Sequence, residues 1–272
     1  MLRAGRLVPA VYRRIGIPRA VLSTSRSGVM AARMLGSKCF TILDYEGVET
    51  LVYRTFGTTV LHPEVIPASE FSALGFPEHR LVSFPGLKED ISFSGMNLTK
   101  VRPAELPSPR DPRLPAILVR PPSETSHYRV NASSDALGRI LDHLADRSDA
   151  QVVFAPRESK QEQMLSARQW SVPPVLLRQP IPLVDLLRSV DRVLTGGGTM
   201  LREAAWFGVP TVTVFQGALP YVDRWLESEG RIERIGPSDD PAKFQWQAEL
   251  ERRAEGSVNG ASLETVVKAL ES

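Results

Sequence analysis

Short apolar runs alternate along this chain with stretches whose apolar positions recur three and four residues apart. The runs Ala20–Ser23, Cys39–Leu43, Thr58–Leu61 and Leu81–Phe84 are strand-length and bounded by Pro, Gly or Ser/Thr clusters. They lack the one-on, one-off alternation of a half-solvated strand. That pattern predicts strands buried on both faces, as in a parallel sheet. Helical spacing is seen at Gly28–Leu35. From residue 116 the rhythm is regular. Strands are predicted at Ala116–Arg120, Gln151–Ala155, Val175–Arg178, Arg192–Thr195 and Thr211–Phe215. Helices are predicted between and after them at Ser133–Ala145, Lys160–Arg168, Pro182–Val190, Thr199–Phe207 and Tyr221–Glu229. Five consecutive strand–helix units predict a doubly wound parallel sheet. A last helix is expected near Ser262–Leu270.

One stretch breaks the rhythm. Val101–Pro115 carries five prolines (Pro103, Pro107, Pro109, Pro112, Pro115), which prevent a helix and stiffen the chain. A domain boundary is expected there, giving an N-terminal Rossmann-like domain over 1–110 and a C-terminal one over 111–272.

Composition narrows the functional classes. No run of about 18 apolar residues is free of charge, so no bilayer-spanning helix is expected. A net charge of +2 over 272 residues gives no case for a nucleic-acid partner. The single cysteine, Cys39, reads as a small buried hydrophobe and suits a reducing, cytoplasmic setting. No His/Cys/Asp cluster has metal-ligand spacing, and no metal or cofactor is expected. Charge is unevenly placed: the first 43 residues hold eight Lys/Arg and no acid. A surface helix with its arginines in water explains this, as does a face that meets an anionic membrane or a phosphorylated substrate. An Arg-rich, acid-free start also resembles a transit peptide.

The most informative segment runs from Arg192 to Pro210. A buried run leads into Gly196, Gly197 and Gly198, with Thr199 at the expected helix N-cap and Glu203 about one turn on. Glycines let the backbone approach a ligand and adopt positive φ. A helix start at the C-terminal edge of a parallel strand offers free N–H groups to an anion. A tight strand–helix turn, with glycines needed for packing, explains the triplet alone equally well. No Gly-Lys-Ser/Thr follows, so this is no Walker loop. Arg120 ends the first strand of the second domain on the same sheet edge, and a guanidinium fork suits a phosphate. His127, in the next loop, suits an acid–base or phosphate contact. Arg157 and Lys160 add positive charge, and Glu89 and Asp90 with Lys88 follow a strand of the first domain. Asp44 and Glu46 follow another and are candidate acid–base residues.

The segment with its Gly-rich turn, Glu203, Ala204-Ala205 and Gly208-Val209-Pro210 resembles the nucleotide-sugar half-site of GT-B glycosyltransferases. The peptidoglycan N-acetylglucosaminyltransferase and the UDP-N-acetylglucosamine 2-epimerases share this layout. A closer resemblance, over about residues 20–235, is to the GT-B-like family known as domain of unknown function 354. It is carried by Leu43-Asp44-Tyr45-Glu46, by Phe84-Pro85-Gly86-Leu87-Lys88-Glu89-Asp90, by Leu118-Val119-Arg120-Pro121 with His127-Tyr128, by Thr195 through Pro210, and by Asp223 and Leu226. It implies an α/β, GT-B-like fold of two Rossmann-like domains with parallel sheets. The first is expected to be incomplete, because the usual opening strands are missing. It also implies that Gly196, Gly197, Gly198 and Thr199 take the diphosphate, that Glu203 takes the ribose hydroxyls, and that the Gln179–Pro182 loop with Ile181 reads the base.

The function expected from these residues is glycosyl transfer from a UDP-sugar donor in cell-surface or lipid-linked glycan synthesis. The catalytic candidates are Asp44, Glu46 and His127. The alternatives are a UDP-N-acetylglucosamine 2-epimerase-like enzyme and a non-catalytic nucleotide-binding or scaffold protein. The expected partners are the nucleotide-sugar donor and a membrane-associated acceptor or partner protein.

Overall fold

The computed structural model describes residues 2–96, 100–122, 131–243 and 259–272. His127 and Tyr128 lie outside the described residues. The chain divides into two compact units: Met1–Met96 with Pro220–Val222 and Val258–Ser272, and Asn97–Leu219 with Asp223–Ser257. This division differs from the expected 110/111 boundary in three ways. The proline-rich stretch goes with the second unit, and both Pro220–Val222 and the C-terminal helix go with the first.

In the first unit, four strands form one parallel sheet in the order β1-β2-β3-β4: β1 (Ala20–Leu22), β2 (Lys38–Ile42), β3 (Thr59–Pro63) and β4 (Leu81–Phe84). The helices are α1 (Leu2–Ile15), α2 (Arg26–Met34), α3 (Leu51–Thr55), α4 (Ala68–Ala73), α5 (Lys88–Ser92) and, from the far end of the chain, α11 (Gly260–Glu271). Ser25 caps α2 by accepting the Gly28 N–H at 3.0 Å. Phe40, Ile42, Leu61 and Phe84 form one face of the sheet and close on Val266 of α11, with Ala269 and Leu270 beside it. The helix is tied down by polar contacts as well. The Asn259 N–H donates to Asp90 Oδ1 at 3.3 Å, the Ser262 hydroxyl donates to the Pro85 carbonyl, and Lys38 Nζ donates to the Ser272 carbonyl at 2.6 Å.

In the second unit, six parallel strands are ordered β10-β9-β8-β5-β6-β7. They are β5 (Ala116–Arg120), β6 (Gln151–Phe154), β7 (Val175–Leu176), β8 (Arg192–Thr195), β9 (Thr211–Thr213) and β10 (Ile232–Arg234). The chain starts at β5, steps outward through β6 and β7, then returns to the other side of β5 and steps outward again. The helices between them are α6 (Asn131–Ala145), α7 (Gln163–Ser166), α8 (Leu183–Arg188) and α9 (Thr199–Trp206); α10 (Tyr221–Ser228), whose first two residues go with the first unit, precedes β10. The core joins Ile117 and Val119 of β5, Val152 and Phe154 of β6 and Leu194 of β8 to the apolar face of α6 (Ala136, Leu137, Ile140, Leu141, Leu144). Leu118, Val153 and Val193 point to the opposite face and are fully buried too. Burial on both faces is what removed alternation from the sequence.

Thus the fold is α/β with two parallel sheets. The expected Lys160–Arg168 helix is a 3-10 turn, Ser159–Glu162, followed by the single turn α7. The strand expected at Val175–Arg178 keeps only two residues. β10 carries one buried side chain and two exposed charges, so it left no apolar run in the sequence.

Candidate functional site

The reversal of strand order puts a topological switch point between β5 and β8, and ligands of open α/β sheets bind outside the strand ends at such a point. Arg120 and Thr195 are register partners at the C-terminal ends of these two strands. The Gly196 N–H donates to the Arg120 carbonyl at 3.2 Å, which carries the ladder one step past the strand.

Each glycine of the turn serves a different need. A Cβ on Gly196 would lie 2.6 Å from the Pro122 Cα, so the backbone of the loop after β5 is pressed against the turn. Gly197 and Gly198 have φ of +94° and +83°. Gly198 also has ψ of −157°, a combination essentially confined to glycine. Gly198, not Thr199, is the N-cap of α9, and the helix starts with no capping side chain. The expectation for Thr199 is corrected accordingly: it is the first helical residue. The turn's left-handed glycines do the work of ending the strand, so no side-chain cap was needed. The first N–H groups of an α-helix have no partner inside it, and here they open at the sheet edge with the positive end of the helix dipole. Glu203 lies in this helix, half-buried.

A pair of arginines stands by the turn. Arg120 is half-buried, and one of its guanidinium nitrogens donates to the Ala155 and Pro156 carbonyls at 2.9 and 2.7 Å. Arg157 donates through Nε to the Pro121 carbonyl at 3.1 Å. Buried Gln161 joins the two loops: it accepts the Arg157 N–H at 2.8 Å and donates to the Pro122 carbonyl at 2.9 Å. Among the described residues, neither guanidinium makes an ion pair with a carboxylate. Burial lowers the pKa of both, and for Arg120 the neighbouring Arg157 charge lowers it further. Both remain cationic in the accessible pH range. Two partly desolvated cations held side by side by backbone carbonyls are electrostatically suited to an anion. Lys160 is taken up by Glu158 at 3.2 Å.

Behind the turn, Arg202 of α9 and Asp223 of α10 form a buried ion pair at 2.6 Å, with side chains 5% and 4% exposed. The sequence offered no sign of their pairing, since the two residues are 21 positions apart and each reads as a surface charge. The Thr195 hydroxyl is buried just below the turn with no hydrogen-bond partner among the described residues. Ile181 is half-buried in the loop between β7 and α8.

The acid–base candidates of the first unit are engaged. Asp44 pairs with Lys88 at 2.6 Å. Glu46 accepts the N–H of Tyr221 at 3.1 Å, and the hydroxyl of Tyr221 donates to Glu70 at 2.8 Å. Glu89 and Asp90 are buried; Asp90 accepts the Leu87 N–H at 2.7 Å and so organises the start of α5. Among the described residues no group of three His, Cys, Asp or Glu is placed to hold a metal ion. None of the described helices is long and apolar enough to cross a membrane.

Comparison with known proteins adds three findings. The family model described as "Protein of unknown function (DUF354)" matches residues 57–240. "Uncharacterized protein MJ0665" of Methanocaldococcus jannaschii is 32% identical over 118 residues, which is 43% of this chain and 33% of that protein. The match thus spans a third of that relative's length. Among solved structures, the MnaA–UDP co-structure of S. aureus aligns at a TM-score of 0.64 with 15% identity, over 99% of this chain and 79% of that one. UDP-GlcNAc 2-epimerase from Methanocaldococcus jannaschii aligns at 0.63 with 13% identity, over 99% and 80%. Anabaena HepE in complex with UDP aligns at 0.56 with 10% identity, over 98% and 81%. At these identities the likeness is one of fold, and that fold is GT-B-like.

Proposed function

From the premise that this chain belongs to the DUF354 family, we propose that it binds a UDP-sugar at the C-terminal edge of its second sheet and transfers the sugar to an acceptor. The observation that carries this reading is the turn at the switch point, with its uncapped α9 N-terminus beside two cations that make no ion pair among the described residues. A nucleoside diphosphate fits that arrangement. Its diphosphate would lie against the N–H groups of Gly197–Thr199, with the Arg120 and Arg157 guanidiniums offering charge. Glu203, ionised, accepts two hydrogen bonds from the vicinal ribose hydroxyls. The base would meet the loop that holds Ile181. When the bond between sugar and diphosphate breaks, negative charge grows on the leaving phosphate, and fixed cations and N–H dipoles stabilise it.

A second reading, 2-epimerisation of the sugar nucleotide, is supported by the UDP-GlcNAc 2-epimerases that share the fold. Calorimetric titration with UDP, UDP-N-acetylglucosamine and GDP, on the wild type and on Glu203→Ala, tests the binding step. Micromolar affinity for the uridine nucleotides is expected, weakened by about 1–3 kcal/mol in the variant as for a lost charged hydrogen bond. No binding by folded protein would reduce the turn to a packing device. Product analysis separates the two reactions: UDP released in proportion to a glycosylated acceptor supports transfer, and conversion of the sugar nucleotide without an acceptor supports epimerisation.

A further inference from the structure

The first unit carries a second feature that the nucleotide site does not use. All eight Lys/Arg of residues 2–43 are exposed: Arg3, Arg6, Arg13, Arg14, Arg19, Arg26, Arg33 and Lys38. No acid lies in that stretch. Only two of them find a partner among the described residues. Arg26 meets Glu49 at 3.4 Å, and Lys38 donates to the Ser272 carbonyl. The other six make no ion pair there.

The arrangement is more than a solvated face. Ala4 is buried and Val8 and Val11 are half-buried, so these positions fix the inner side of α1, which packs on α2. At 3.6 residues per turn, Arg3, Arg6, Arg13 and Arg14 share an arc of about 100° on the outer side, and Tyr12 and Ile15 project from the other side of the helix. At the end of α1, where the chain turns at Gly16, three large apolar side chains stand in solvent: Tyr12 at 59%, Ile15 at 69% and Ile17 at 63% exposure. Met34 at the end of α2 is exposed to 62%. Arg13, Arg14 and Arg19 flank this tip.

We propose that the Tyr12–Ile17 tip, with Arg13, Arg14 and Arg19 around it, docks on an anionic lipid surface. The arginines would meet lipid phosphates, and Tyr12, Ile15 and Ile17 would enter the headgroup–acyl boundary. Charge complementarity selects an anionic partner. The exposed apolar tip selects a bilayer over a nucleic acid, because isoleucines have no base to stack on and gain only from an apolar phase. Anionic-lipid attraction of a basic residue near the surface amounts to roughly fivefold in affinity per side chain. The proposal is independent of the nucleotide site.

Cosedimentation of the whole chain with vesicles tests it. Binding is expected to phosphatidylglycerol/phosphatidylcholine vesicles and not to phosphatidylcholine alone, and it should weaken as salt shortens the Debye length. The variant R13E/R14E/R19E should lose at least about a hundredfold in vesicle affinity. The variant Y12S/I15S/I17S, with its charge unchanged, should lose at least about tenfold. All six positions are exposed, and an unchanged far-UV dichroism spectrum checks that the variants fold. A parallel anisotropy titration with single-stranded oligouridylate reads the alternative. The proposal is overturned if anionic vesicles are not bound, if the serine variant binds them as the wild type does, or if RNA is bound more tightly than the vesicles.

Discussion

Replacing Gly198 with alanine isolates the backbone geometry of the turn. An ideal Cβ there meets nothing within 4 Å, so the substitution brings no clash. The whole cost is conformational: φ of +83° with ψ of −157° is a region that alanine occupies only under strain, at about 1–3 kcal/mol. Alanine also loses less freedom than glycine on folding, which offsets this by about 0.4–1 kcal/mol. A net destabilisation of about 1–2 kcal/mol is expected. In urea unfolding it should appear as a lower midpoint at unchanged slope, since the surface exposed on unfolding does not change. The same strain is relieved if the peptide planes of the turn rotate, and that re-aims the first N–H groups of α9. UDP affinity should therefore fall by at least about tenfold, and by more than the stability loss explains at saturating protein folding. Gly196→Ala provides the contrast, since its ordinary φ leaves only the 2.6 Å approach to Pro122. It should cost about 1–3 kcal/mol as an overpacked site and shift the loop after β5. If Gly198→Ala unfolds within about 0.3 kcal/mol of wild type and binds UDP equally well, the reasoning about the turn is wrong.

Four further outcomes are expected. Asp223→Ala removes the carboxylate that the buried Arg202 guanidinium pairs with and should cost about 3–5 kcal/mol in denaturant unfolding, whereas R202M/D223L should recover most of it. Thr195→Val removes a buried hydroxyl that has no partner among the described residues, and should leave stability equal or raise it by about 1 kcal/mol; a clear loss would mean the hydroxyl is bonded in solution. His62 is buried against Phe71, and burial lowers its pKa below the ordinary 6.5, so the unfolded chain binds the extra proton first. Its contribution is present above pH 6.5 and lost as pH falls below that value; His62→Phe should flatten the fall in stability on the acid side of pH 6.5, as urea titrations at each pH would show. Burial raises the Cys39 pKa, so its thiol should react with Ellman's reagent at pH 8 only as fast as the first unit opens.

The parts of the fold that the sequence made legible are those where burial is local. β5, β8 and α9 were readable because a run buried on both faces ends at an Arg or at three glycines. α3, α4 and α5 were not, because five or six residues are too few to display a 3.6-residue period. The roles of Arg120 and Gln161 were hidden for another reason: their partners are backbone carbonyls of Ala155, Pro156 and Pro122, and a carbonyl has no residue type. Asp90 and Asn259 are joined across 169 positions, a distance over which no pattern of spacing speaks.

That last contact bears on how the chain is made. The first sheet has its four strands within residues 20–84, yet the side chain that closes its face is Val266. Ribosomes extend a chain by about 5–20 residues per second. For some ten seconds or more after β4 has left the ribosome, Phe40, Ile42, Leu61 and Phe84 would therefore lack that cover, and the strands of the second sheet are all made within the same interval. The later-coded sheet has its strands first and the earlier one its cover last, so a stop codon ahead of α11 would strike the sheet that is coded first.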